Sequence, residues 1–97
     1  MATIIAAFQV LPHGVKDVYG CVDAAIGVVQ KSGLEYDVSS FETTLQGTYD
    51  QIMDVIKRAQ QACFDYGAES VLCNIKIANR PAGTTIAEHI GKYRDSK

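Results

Sequence analysis

Three cysteines, two histidines and no surplus of basic charge leave few kinds of chemistry open to this 97-residue chain. Cys21, Cys63 and Cys73 are odd in number, widely spaced and without a Cys-x-x-Cys pair, so they are expected as reduced thiols of a cytoplasmic protein, packed as small core residues. A net charge of −2 and a pI near 5.5 give no cationic footprint, which argues against nucleic acid and against an anionic membrane as partners. The apolar run Ile4 to Leu11 is far too short to span a bilayer and lacks a basic flank or cleavage pattern, so it reads as a strand. His13 and His89 have no Asp, Glu or Cys at ligand spacing, so no metal is expected. The thiols have no neighbouring His or basic residue, there is no Gly-x-Ser-x-Gly elbow, and Gly14, Gly20 and Gly27 form no phosphate-cradling fingerprint. No cofactor is implied. A base-stacking RNA surface would need aromatics on the central strands, where the third strand offers Thr44 and Gln46.

What is present is patterned. Hydrophobic residues make up 47% and charged residues 21%, the ordinary balance of a globular chain, and residues 1–97 are expected to form one domain. Thr3 to Pro12 alternates with apolar residues on both faces, a strand covered on both sides, and Pro12, His13 and Gly14 read as a turn. From Val15 or Asp17 to Lys31, Val18, Val22, Ala25, Ile26 and Val29 fall at helical spacing, with Gly33 just past the end. Gly20 and Gly27 inside this helix are read as points of close approach to the sheet. Leu34 to Val38 alternates as a second strand, Ser39 and Ser40 make the turn, and Phe41 to Gln46 alternates as the third. Thr48 and Gln51 form a capping box, so a helix begins at Tyr49 and carries Ile52, Met53, Ile56, Ala59, Cys63 and Tyr66 to a stop at Gly67. Glu69 to Ala78 is the last strand. Thr85 and Glu88 then form a second capping box for a short terminal helix.

The order strand, helix, strand, strand, helix, strand is the split β-α-β pattern of the ferredoxin-like α+β sandwich, a βαββαβ fold with an antiparallel four-stranded sheet, here followed by an extra C-terminal helix. The first and third strands should be central, and the fourth should flank the first. Helices cover one sheet face. The other is expected to expose Ile5, Ala7, Leu11, Leu72 and Ala78 around Gln9, Thr44, Asn74 and Lys76, a patch suited to assembly into a homodimer or homotetramer through sheet faces or edges.

One polar cluster stands out: Gln9, Ser39, Thr43, Thr44 and Asn74, with Glu42 and Lys76 beside them. It admits two readings. Thr is a good strand former and polar residues cover half of many sheets; or a few donors and acceptors are placed in an apolar small-molecule pocket. Thr43 shares its face with Phe41 and Leu45 and points toward the helices, where a buried hydroxyl needs a partner.

The stretch Tyr36 to Asp50, together with Val10-Leu11-Pro12, Thr43-Thr44-x-x-Gly47 and Ile75-Lys76-Ile77 in that order, resembles the thiamine-binding, YkoF-like family of short proteins along almost the whole chain. The resemblance implies a ferredoxin-like fold, dimers and tetramers, no catalysis, and binding of thiamine or its hydroxymethylpyrimidine moiety between sheet and helices in thiamine salvage or transport. It carries over most directly to Thr43 and Thr44, and more loosely to Ser39 and Gln9. The chain departs from it at Glu42, where the family often has Gly or Asn, and at Gln46, where it often has Glu. Glu42 is read as a carboxylate able to offset the thiazolium cation. The alternatives are an oligomeric interaction or regulatory module with no small ligand, and a small dimeric-barrel enzyme using His13 as a general base.

Overall fold

The computed structural model describes residues 2–94, with side chains described as far as Ile90. Its elements run β1 (Ile4–His13), α1 (Val18–Lys31), β2 (Glu35–Val38), β3 (Thr43–Gly47), α2 (Tyr49–Tyr66), β4 (Ser70–Ala78) and α3 (Ile86–Arg94). The sheet has the order β2-β3-β1-β4 with every pairing antiparallel. This is the ferredoxin-like α+β arrangement, with β1 and β3 central.

The period-2 pattern of β1 buries Ile4, Ala6, Phe8 and Val10 on the face that meets α1 and α2. Against them pack Cys21, Ala25 and Val29 of α1, Leu45 of β3, and Ile52, Val55, Ile56, Ala59 and Cys63 of α2. Burying a side chain such as Leu45 or Ile56 contributes about 1.5–3 kcal/mol each. Helical spacing located both stripes with small rotations: Val18, Tyr49 and Tyr66 lie at the exposed rims, while Cys21 and Val55 are buried in their place.

The helix ends follow local chemistry. The Thr48 hydroxyl accepts from the Gln51 N–H at 3.2 Å and the Gln51 side chain accepts from the Thr48 N–H at 3.0 Å, the reciprocal capping box. Gly67 stops α2 at φ 121°, a backbone conformation that a residue with a Cβ rarely adopts. At the start of α1, Asp17 accepts from the Gly20 N–H at 2.9 Å and from the Tyr66 hydroxyl at 2.7 Å, tying this end to the last turn of α2. Gly20 is therefore explained by Tyr66 and Asp17, which a Cβ there would strike, rather than by the sheet. Gly27 has nothing close to it, so the expectation of close approach fails there.

Three further expectations are corrected. β1 continues through Pro12 and His13, which pair with Val71 and Ser70 of β4. Proline is tolerated because β3 has already ended on the other side of β1, leaving no ladder bond for its missing N–H to break. Phe41 and Glu42 lie outside β3: the Ser39 N–H donates to the Glu42 carbonyl at 3.0 Å and the Ser39 hydroxyl to the same oxygen at 2.9 Å, closing a four-residue loop with Phe41 81% exposed at its tip. The sheet face opposite α1 and α2 is not bare along its length. The Gln46 side chain accepts the Ile86 N–H at 2.9 Å and sets α3 over one end of it, which buries Ile5. Leu11 and Leu72 remain exposed on that face, while Ile75 and Ile77, on the helix side, are exposed along the edge strand β4.

Candidate ligand-binding site

The end of β3 creates a hollow beside several of the predicted residues. The β1 to β3 ladder runs from Ile4 opposite Gly47 to Phe8 opposite Thr43 and goes no further. Beyond it the closed loop Ser39 to Glu42 swings aside. Between that loop, the free edge of β1 and the side of α1 lies a cleft of about 140 Å³. Val22, Ala25 and Ile26 of α1 give it an apolar wall, and Phe8, Gln9 and Val10 form the wall on the β1 side. Ser39, Ser40, Glu42 and Thr43 complete the rim.

Thr43 is 6% exposed as a residue; its hydroxyl makes no hydrogen bond among the described residues, and since no buried side-chain oxygen or nitrogen there lacks a partner, that oxygen is open to the cleft. A hydroxyl so placed is a donor and acceptor available to water or to a polar ligand in the cleft. An engineered cavity of about 150 Å³ admits a benzene molecule. The cleft is accordingly the size of one six-membered ring.

The remaining candidates lie elsewhere. Asn74 donates to the Gln9 side chain at 3.3 Å, and Lys76 lies 3.1 Å from a Glu42 carboxylate oxygen. These two pairs line an open hollow of about 640 Å³ with Phe41 and Ile75. Glu42 thus already has a cationic partner, and Gln9 and Glu42 border both hollows. Thr44, on the opposite face from Thr43, joins Lys76 and His89 in a third cleft of about 210 Å³ beneath α3, floored by Ile5, Ala7 and Ala78. The cluster read from sequence is therefore split across the sheet. Gln9, Ser39, Glu42 and Thr43 meet at the one-ring cleft, while Thr44, Asn74 and Lys76 do not reach it. Sequence reasoning did not single out Ser40 or the Val22, Ala25 and Ile26 wall; the i, i+3, i+4 spacing of the latter was read only as core.

Among the described residues no catalytic set converges on these hollows. His13 ends β1 and lines none of the three, and His89 is held 3.0 Å from the buried Thr84 hydroxyl. Among the described residues no group of His, Cys, Asp and Glu can hold a metal ion. Burial first, then the neighbouring Cys21, pushes the Cys63 thiol up to about 12, and burial raises Cys73 as well. Neither thiol is primed as a nucleophile. No helix among the described residues is long and apolar enough to cross a membrane.

Fold and site together define a ferredoxin-like α+β protein with a small, partly polar cleft between its sheet and its helices. The chain belongs to the thiamine-binding protein family, whose model matches residues 6–94. A UPF0045 protein of Clostridium perfringens is 34% identical over 96 residues, covering 97% of this chain and all of that protein. Among solved structures, a Bacillus cereus domain of unknown function (DUF77) is 52% identical with a TM-score of 0.94, covering 98% of this chain and 93% of that one. A Thermotoga maritima protein assigned provisionally to thiamine biosynthesis or salvage is 26% identical with a TM-score of 0.86, covering 95% of this chain and 99% of that one.

Proposed function

We propose that the chain is a non-catalytic binder of thiamine or its hydroxymethylpyrimidine moiety, serving thiamine salvage or transport in the cytoplasm, with the pyrimidine ring in the cleft beside Thr43. The observation that carries this reading is the Thr43 hydroxyl, which has no hydrogen-bond partner among the described residues and opens into a cleft of one-ring size. Family membership supports the ligand class, as does the description of the Thermotoga maritima relative. The chemistry agrees: an aminopyrimidine carries both donors and acceptors, and Thr and Ser hydroxyls supply both in return. A two-ring ligand exceeds about 140 Å³, so the thiazolium of thiamine would sit at the mouth, near Ser39 and Glu42. There the Glu42 carboxylate offsets its charge only in competition with Lys76.

Calorimetric titration with thiamine and with hydroxymethylpyrimidine tests the reading. Heat with either compound is expected, and silence with both at millimolar concentration would refute it. Assembly into dimers or tetramers belongs to the same reading, supported by the exposed Leu11 and Leu72 on the open face and by the unpaired outer edge of β4. Light scattering on the eluting species reads the mass directly, and a monomer would remove that part. Were no ligand to bind, an oligomeric interaction module would be the reading left.

A further inference from the structure

The main chain beside Thr43 carries the reading one step deeper, and the step rests on that reading. In an antiparallel ladder the N–H and C=O of one residue point to the same neighbouring strand, and successive residues alternate between neighbours. The Ser39 N–H donates to the Glu42 carbonyl at 3.0 Å, in register with the β2 to β3 pairing, which aims Glu42 and Thr44 at β2 and leaves Thr43 aimed at β1, opposite Phe8. Phe8 and Val10 are therefore aimed at β3. Phe8 meets Thr43 there. Val10 meets nothing, because its opposite position would be Phe41, which the loop has carried out into solvent. On its other side Val10 faces Cys73 in a pair that, by the same alternation, exchanges no hydrogen bonds.

Val10 is 8% exposed and lines the cleft. Its donor and acceptor thus stand side by side at the cleft edge with no ladder partner among the described residues, an arrangement that folded proteins largely avoid. Pro12, the next residue aimed the same way, has no N–H to offer. Val10 therefore supplies the one main-chain donor of this stretch.

We infer that the Val10 N–H and C=O are the recognition edge for the ligand ring. A ring nitrogen accepts from the N–H while an adjacent exocyclic amino group donates to the C=O, replacing the two bonds that a continued β3 would have made. The class of ligand selected is a planar heteroaromatic ring carrying an amino group next to a ring nitrogen. The Thr43 hydroxyl, on the same wall, is left for a second polar group on that ring. The apolar face of α1 packs against the flat of the ring.

The test uses the full-length isotope-labelled protein with hydroxymethylpyrimidine and with the analogue in which hydrogen replaces the amino group. The expected result is a downfield shift of the Val10 amide proton on saturation, at least tenfold slower exchange of that proton, and roughly tenfold weaker binding of the analogue, as for one lost hydrogen bond with its buried acceptor left unpaired. Equal binding of the two compounds with an unmoved Val10 amide would overturn the inference while leaving pyrimidine binding standing. Failure of every pyrimidine and of thiamine to bind would overturn both.

Discussion

Replacing Thr43 by Val changes one hydroxyl to a methyl at almost constant shape, and the structure demands opposite signs for its two consequences. In the free protein the Thr43 side chain is largely buried, and its hydroxyl, at the cleft, finds no partner among the described residues. Removing it therefore relieves a desolvation cost instead of breaking a bond. That cost reaches about 1–3 kcal/mol for a sealed group. Because the hydroxyl borders a cleft that water can enter, the gain should fall between zero and about 1 kcal/mol. With ligand bound the sign reverses. One neutral hydrogen bond is worth about 0.5–1.5 kcal/mol, which weakens binding roughly 2- to 12-fold. Urea unfolding of wild type and Thr43→Val, with the slope unchanged, reads the first quantity, and calorimetry with hydroxymethylpyrimidine reads the second. A stability loss above about 1 kcal/mol would mean that the hydroxyl is bonded within the protein. Unchanged affinity would mean that it never touches the ring, and Thr43 would revert to a good strand former and nothing more.

Three further outcomes follow from the same structure. Thr48→Ala removes the side-chain half of the capping box at α2 and should lower unfolding free energy by about 0.5–2 kcal/mol in urea, with a smaller loss expected for Gln51→Ala. Cys63, pushed up to about 12 by burial, should resist thiol reagents in the folded protein at pH 8, as should the buried Cys21; Cys73, only partly buried, should react first, and all of them in denaturant. Asp17 is held below its ordinary value by the Gly20 N–H first and the Tyr66 hydroxyl second, so the stability it contributes is present above about pH 4 and is lost as pH falls through its lowered native value. Tyr66 is held above its ordinary value by its bond to Asp17, so its contribution is present below about pH 10 and is lost as pH rises through the raised value. Tyr66→Phe should lower stability at neutral pH and flatten both limbs of a plot of unfolding midpoint against pH; an unchanged acid limb and an unchanged alkaline limb would show that the Tyr66 to Asp17 bond contributes nothing in solution.

The elements that sequence reading placed correctly are those whose causes are local. The alternation of Ile4, Ala6, Phe8 and Val10 identifies the helix-facing side of β1, the Thr48 to Gln51 box places the start of α2, and Gly67 its end. Each depends on residues within a turn or two of one another. What was misplaced depends on distant partners. α3 lies over the open face because Gln46 accepts an N–H from Ile86, forty residues on, and no periodicity within either segment contains that bond. Likewise Pro12 belongs to a strand because β3 stops short of it, a fact about another segment. Thr43 and Thr44 were correctly set on opposite faces, yet the polar residues around them were grouped as one site. Alternation along a single strand does not reveal that Asn74 and Lys76 spend their polar groups on Gln9 and Glu42.

The misreading of Phe41 is the most instructive, because it falls at the site itself. By alternation Phe41 continues β3 and faces the helices with Thr43 and Leu45; a β3 so extended would have paired with Val10 and filled the space beside it. Ser39 instead bonds twice to the Glu42 carbonyl and closes the loop early. That closure has three effects at once: a large aromatic is exposed, a buried strand loses its neighbour at Val10, and a cleft opens with the Thr43 hydroxyl in its wall. Each is unfavourable in the isolated chain, through exposed apolar area or unpaired polar groups. A ring with a donor and an acceptor on one edge reverses two of the three on binding. Places where a sequence departs from its own pattern without local compensation are where function is expected to sit, and here the departure, the cleft and its unsatisfied groups share a single cause in the loop Ser39 to Glu42.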